Sequence, residues 1–121
     1  MKRDMELLRS ILIEASKSIG DLNCQSFIND ANDLQKVIYN VEIMKEAGLI
    51  NANINKAMNG VYIDAYIKSL TWQGNDLLDA IVNDNVWAET KKKIFNKFKS
   101  VSFDIIKKVA EEIIIQALLG A

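Results

Sequence analysis

Three observations predict a mainly α fold with a small β-hairpin. One helix closes on Glu46-Ala47-Gly48-Leu49-Ile50. An alternating segment then folds about Asn59-Gly60, and a Leu70-Thr71-Trp72-Gln73-Gly74 block opens a further helix. In that order the pieces make a winged helix-turn-helix-like domain followed by C-terminal helices. Its 121 residues, 50% apolar, are enough for a single domain over residues 1–121. Within it, residues 1–70 are expected to hold the winged-helix-like core, with a wing hairpin at about 49–70. Residues 71–121 are expected to hold the C-terminal helices.

The first helix is expected over residues 3–17, where Met5, Leu8, Ile11, Leu12 and Ala15 recur at three- and four-residue spacing and Leu7 and Ile13 widen the stripe. Gly20 is its expected C-terminal cap. A brief strand is expected at residues 25–28. Asn29-Asp30-Ala31-Asn32-Asp33 is rich in side chains that accept hydrogen bonds from free N–H groups at a helix start. The helix it opens runs over 34–47, with Leu34, Val37, Ile38, Val41 and Met44 inward and Gly48 as a left-handed cap.

In the hairpin, Ile50, Ala52 and Ile54 alternate with asparagines, and Val61, Ile63, Ala65 and Ile67 alternate with Tyr62, Asp64, Tyr66 and Lys68. Thr71 caps a helix over 72–82, with Leu77, Leu78 and Ile81 inward. Asn83-Asp84-Asn85 ends it and caps the next, over 86–98, which brings Val86, Trp87, Thr90, Ile94 and Phe98 near one side. Ser100 or Ser102 caps a final helix ending near Leu119. The chain has no proline, in keeping with helices joined by short loops.

Composition narrows the chemistry. There is no histidine, and Cys24 is the single cysteine. Neither a usual zinc site nor a Cys-His or Ser-His pair can be assembled, and the commonest general base is missing. The acids lie scattered along solvated faces, so no enzyme and no cofactor are expected. Neither phosphate-loop glycine pattern occurs. The apolar runs are too short to span a bilayer. Acids occupy the N-terminal stretch where a signal peptide would be apolar, and a cytoplasmic protein is expected.

Four groups of residues, taken in order, resemble a known bacterial and phage family. They are the opening Met1-Lys2-Arg3-Asp4-Met5-Glu6-Leu7-Leu8-Arg9; the stretch from Tyr39 to Ile50 ending in E-A-G-L-I; Leu70-Thr71-Trp72-Gln73-Gly74 with Leu78-Asp79-Ala80-Ile81; and Val86-Trp87, Thr90-Lys91 and Val101-Ser102-Phe103. Together they resemble the domain of unknown function 2513. The resemblance implies a winged-helix-like protein carried by prophages and mobile elements, and it brings no catalytic residues. Asn40 and Asn75 stand where that family often has histidine. Asparagine keeps a hydrogen bond but cannot titrate near neutral pH.

Candidate contact residues follow from the fold. The helix over 34–47 occupies the recognition position, with Gln35, Lys36, Tyr39, Asn40, Glu42 and Glu46 expected outward; Gln35 and Asn40 are of the type that reads adenine. Against this, residues 33–46 hold two lysines and three acids, a poor start toward a polyanion. A plain scaffold helix is the competing expectation. Residues 51–60 of the wing offer one cation, Lys56. The concentrated positive stretch is Lys91, Lys92, Lys93, Lys97, Lys99, Lys107 and Lys108, with only Glu89 and Asp104 among them. It suits nucleic acid, an acidic partner or simple solvation. Phe95, Phe98 and Phe103 are expected to pack inward, not to meet a membrane.

From Ile113 on the last helix is apolar on nearly every side, and Ile106, Val109, Ile113, Ile114, Ala117 and Leu118 are expected to pair with a second copy; the alternative is a central core helix. Trp72 and Trp87 are expected in the core. Two functions compete: a phage-type DNA-binding transcriptional regulator, homodimeric and acting on double-stranded DNA, and a non-enzymatic module that occupies a host or defence protein.

Overall fold

The computed structural model describes residues 2–95 and 101–120. The expectations placed on Lys97, Phe98, Lys99 and Ser100 lie outside them. The chain forms two compact units, Met1–Asn75 and Asp76–Ala121.

In the first unit, α1 (Met5–Lys17) begins with its apolar stripe, two residues later than the expected start at residue 3. The Asp4 carboxylate accepts hydrogen bonds from the N–H groups of Glu6 and Leu7 at 3.0 and 3.1 Å and so fixes the start. The helix buries Met5, Leu7, Leu8, Ile11, Leu12 and Ala15. It closes at Ser18, not Gly20: among the described residues only Gly48 and Gly60 have positive φ.

The strand expected at 25–28 is absent. β1 is Leu22–Asn23, and Cys24–Phe27 form a 3-10 turn. Local side-chain bonds decide this. Asn23 Oδ1 accepts from Gln25 N–H at 2.9 Å and Ser26 Oγ donates to Asn23 O at 2.7 Å, which satisfies the backbone without a strand.

Asp33 caps α2 (Leu34–Glu46), accepting from Lys36 N–H at 2.8 Å. Gly48 (φ 78) ends it in a Schellman arrangement, with Gly48 N–H bonded to Lys45 O and Leu49 N–H to Met44 O. β2 (Ile50–Lys56) and β3 (Tyr62–Leu70) follow. The antiparallel sheet has the order β1-β3-β2, with Leu22 opposite Ile67. At the turn, Gly60 (φ 85) donates to Ala57 O, and Asn59 Oδ1 accepts from Val61 N–H at 3.1 Å.

The expected alternation holds for β2, where Ile50 and Ala52 are buried, and for Ala65 and Ile67 of β3. It fails for Val61 and Ile63, which are exposed, while Tyr62 is buried. β3 carries two bulges. Pairing steps from Asn51↔Ser69 to Ala52↔Ile67, leaving Lys68 extra. It then steps from Asn55↔Asp64 to Lys56↔Tyr62, leaving Ile63 extra. Each extra residue flips the side-chain phase, so the strand end turns Tyr62 inward. Helices α1 and α2 pack on each other and on β3, and α2 also packs on β2. Leu8, Ile11, Leu12, Val37, Ile38, Val41, Met44 and Ile67 are fully buried there.

Helix α3 (Trp72–Ile81) starts in the first unit. Thr71 N–H donates to Leu49 O at 3.0 Å, and its hydroxyl donates to Gly48 O while accepting from Gly74 N–H at 3.0 Å. This clamps the α3 start to the α2 end. A Cβ on Gly74 would lie 1.9 Å from Leu49 O, so only glycine fits the crossing.

The second unit holds α4 (Asp84–Phe95) and α5 (Phe103–Gly120), which pack together. α4 begins two residues before the expected Val86 because Asn83 Oδ1 accepts from the N–H groups of Asn85 and Val86 at 2.9 and 3.1 Å. It buries Trp87, Thr90 and Ile94, and Thr90 Oγ1 donates to Val86 O at 2.7 Å. Ser102 Oγ accepts from Ile105 N–H at 3.3 Å at the start of α5. α5 buries Ile106, Ala110 and Ile113.

Candidate recognition surface

The four candidate contact residues of α2 and the wing, Gln35, Lys36, Asn40 and Lys56, are bound within the chain. Asn40, expected outward, is only 1% exposed. Its Oδ1 accepts from Asp4 N–H at 2.8 Å, and its Nδ2 donates to Lys36 O at 2.9 Å and Lys2 O at 3.4 Å. It ties the N-terminal segment to α2. Gln35 is engaged just as fully. Its Nε2 donates to Tyr62 O at 2.8 Å and its Oε1 accepts from Tyr62 N–H at 2.9 Å. That fork satisfies two backbone groups of the bulged strand end, where regular pairing is interrupted.

Lys36 Nζ lies 3.0 Å from Asp4 Oδ2 and donates to Ala31 O at 3.4 Å. Burial opposes charge on Asp4. The hydrogen bond from Leu7 N–H, the contact with Lys36 and the bond from Glu6 N–H outweigh it and hold the carboxyl below its ordinary value. Lys56 Nζ sits 2.9 Å from Glu42 Oε2 and 5.2 Å from the centre of the Tyr62 ring. Tyr62 OH donates to Glu42 Oε1 at 2.8 Å. This cluster joins the wing to α2. Lys56, assisted by Tyr62, lowers the Glu42 carboxyl against the effect of burial. Burial and the Glu42 carboxylate push the Tyr62 hydroxyl up to about 12. Asn75 is exposed, and its Nδ2 turns back to Thr71 O at 3.0 Å.

The wing exposes the apolar Met58, Val61 and Ile63, Ile63 by 55%, beside the polar Asn51, Asn53, Asn55 and Asn59 and the cations Lys56 and Lys68. Trp72, expected in the core, is 82% exposed at the start of α3, whereas Trp87 is buried as expected. Composition marked both tryptophans; only the phase of α3 separates them.

In the second unit Lys92, Lys93 and Lys108 are exposed, and Lys91 lies 5.5 Å from the centre of the Trp87 ring. Lys107 Nζ is 3.9 Å from Asp76 Oδ2. Of the six residues expected at a dimer interface, Ile106 and Ile113 are buried within the chain, Val109 and Ile114 are half-buried, and Ala117 and Leu118 are exposed. Cys24 is buried. Burial, with the charge of Asp64, pushes its thiol up to about 12, so it is not a nucleophile near neutral pH.

No group of His, Cys, Asp and Glu among the described residues is placed to hold a metal, and no described helix is long and apolar enough to cross a membrane. Helix, short strand, turn, helix and two-stranded wing, in a sheet of order 1-3-2, are the plan of a winged-helix-like protein. The chain belongs to the family described as Hypothetical protein (DUF2513), which matches residues 2–102. A Haemophilus influenzae (strain Rd) protein described as uncharacterized is 40% identical over 121 residues, covering 98% of this chain and 99% of that protein. No solved structure matches the chain.

Proposed function

We propose that this protein is a non-enzymatic module that works by occupying another protein, on a winged-helix scaffold. One observation carries the proposal. Gln35, Lys36, Asn40 and Lys56 are held in internal bonds, while the wing offers Met58, Val61 and Ile63 to solvent. Affinity for duplex DNA comes largely from cations that displace counterions, and reading a base needs a free hydrogen-bonding side chain. Apolar side chains on a projecting hairpin suit a protein surface, where aromatic and apolar anchors supply most of the affinity.

A DNA-binding regulator is the second reading, favoured by the adjacent exposed Lys92 and Lys93 on α4. In that case contact would run through phosphates, not base edges. Homodimerisation through α5 would rest on its exposed tip, Ile115, Leu118 and Leu119, because Ile106 and Ile113 are already buried.

Photo-crosslinking in the cell that naturally makes the protein separates these readings. A benzophenone amino acid placed at Ile63 is expected to give one discrete protein adduct. DNA adducts from position 92, with none of any kind from position 63, would overturn the proposal in favour of the regulator.

A further inference from the structure

We propose that the groove between α3 and α5 in the second unit docks a basic, amphipathic helical segment of a partner protein. This rests on the protein-binding reading above and adds the chemistry of the partner, at a place separate from the wing. The groove has a volume of about 390 Å³ and is lined by Asp76, Asp79, Ala80, Lys107, Glu111, Ile114 and Ile115. Its apolar members are Ala80, Ile114 and Ile115. Leu118, 75% exposed, lies one turn beyond Ile114 on the same helix and lengthens the apolar strip. The rim is acidic, with three carboxylates against one lysine. Lys107 stands 3.9 Å from Asp76, which leaves Asp79 and Glu111 to set the sign of the field over the strip.

Charge selects the occupant. The strip calls for apolar side chains at three- and four-residue spacing, the pattern of a helix laid in a groove. The rim calls for Lys or Arg on the flanks of that helix. A second copy of α5 does not qualify. Its acids Asp104, Glu111 and Glu112 outnumber its lysines Lys107 and Lys108, so it brings no net positive charge to the acidic rim. Nor do residues 84–94 of α4 qualify as such a segment, because the described exposed residues there are Asp84, Asn85, Ala88, Glu89, Lys92 and Lys93, with no large apolar side chain among them.

The test uses the full chain and three labelled helical peptides of about 14 residues, long enough for roughly four turns. One places leucines on one face and lysines on the other. The second replaces its lysines with glutamates, and the third replaces its leucines with serines. In fluorescence polarisation at low salt the Leu/Lys peptide is expected to bind at least about tenfold tighter than either other peptide, a difference of about 1.4 kcal/mol. The exposed-site double variant Asp79→Lys/Glu111→Lys should abolish that preference with an unchanged circular dichroism spectrum. Ile63→Asp on the wing should leave it intact. Equal binding of the Leu/Lys and Leu/Glu peptides, no binding of either, or insensitivity to the double variant would overturn the proposal. If the crosslink from position 63 is still found in that case, the groove alone is wrong. Concentration-dependent dimerisation lost in Leu118→Asp would assign the strip to a twin and likewise overturn it.

Discussion

Replacing Asn40 by alanine separates a structural role from a reading role. The side chain makes two strong hydrogen bonds, 2.8 Å from Asp4 N–H and 2.9 Å to Lys36 O, and a longer one of 3.4 Å to Lys2 O. A typical intramolecular bond contributes about 1 kcal/mol net, and a buried donor left without a partner costs roughly 1–3 kcal/mol. Lys36 O keeps its place in the α2 ladder, so Asp4 N–H is the group left stranded. The expected loss is about 3 kcal/mol, a large share of the roughly 5–15 kcal/mol that holds a domain together. With a urea m-value of about 1.5 kcal/mol/M, the unfolding midpoint should fall by about 2 M. Equilibrium urea unfolding followed by far-ultraviolet circular dichroism measures it. An unchanged midpoint would refute the structural role of Asn40, and a simultaneous loss of duplex affinity would restore it as a reader.

Other consequences are as direct. Gly74→Ala forces a Cβ to 1.9 Å from Leu49 O, so the α2–α3 crossing must open; a loss of roughly 1–3 kcal/mol or more in thermal or urea unfolding is expected, with near-wild-type stability counting against the packing described. Glu42→Gln removes the anion between Lys56 and Tyr62 and should cost about 0.5–1 kcal/mol at neutral pH, as partly exposed pairs do. Because the Glu42 carboxyl is lowered on folding, its contribution is present above its ordinary value near 4.5 and is lost as pH falls through the folded value; the gap between wild type and variant should therefore close in acid. Cys24, buried with its thiol pushed up to about 12, should resist a thiol reagent at about pH 8 in native protein and react at once in denaturant; fast native labelling would contradict its burial.

Element boundaries were most legible where local chemistry announces them. Gly48, Thr71 and Asn83 are residue types that end or start helices by their own hydrogen bonding and backbone range, and each does so. The bulges at Ile63 and Lys68 were not legible, because an extra residue in one strand depends on the register of its partner and leaves no mark in an alternating sequence. Asn40 had a missed signal. It lies three residues after Val37 and four before Met44, on the buried stripe, and a polar residue at that spacing implies an internal partner. Trp72 precedes Ile81 by nine residues, about two and a half turns, which puts the two on opposite sides of α3. On α5 the apolar residues run nearly all round, so the sequence could not separate the buried Ile106, Ala110 and Ile113 from the exposed Ile115, Leu118 and Leu119.

On the proposed protein-binding reading, the recognition-position helix is committed to its own fold and does not read a groove. Fluorescence polarisation of a labelled random-sequence duplex at low salt, titrated with wild type and with Gln35→Ala, tests it most directly. No saturation at tens of micromolar is expected from wild type, a range in which non-specific contacts normally register, with Gln35→Ala differing only in stability. Tight saturable binding by wild type, lost in a folded Gln35→Ala chain, would contradict the claim.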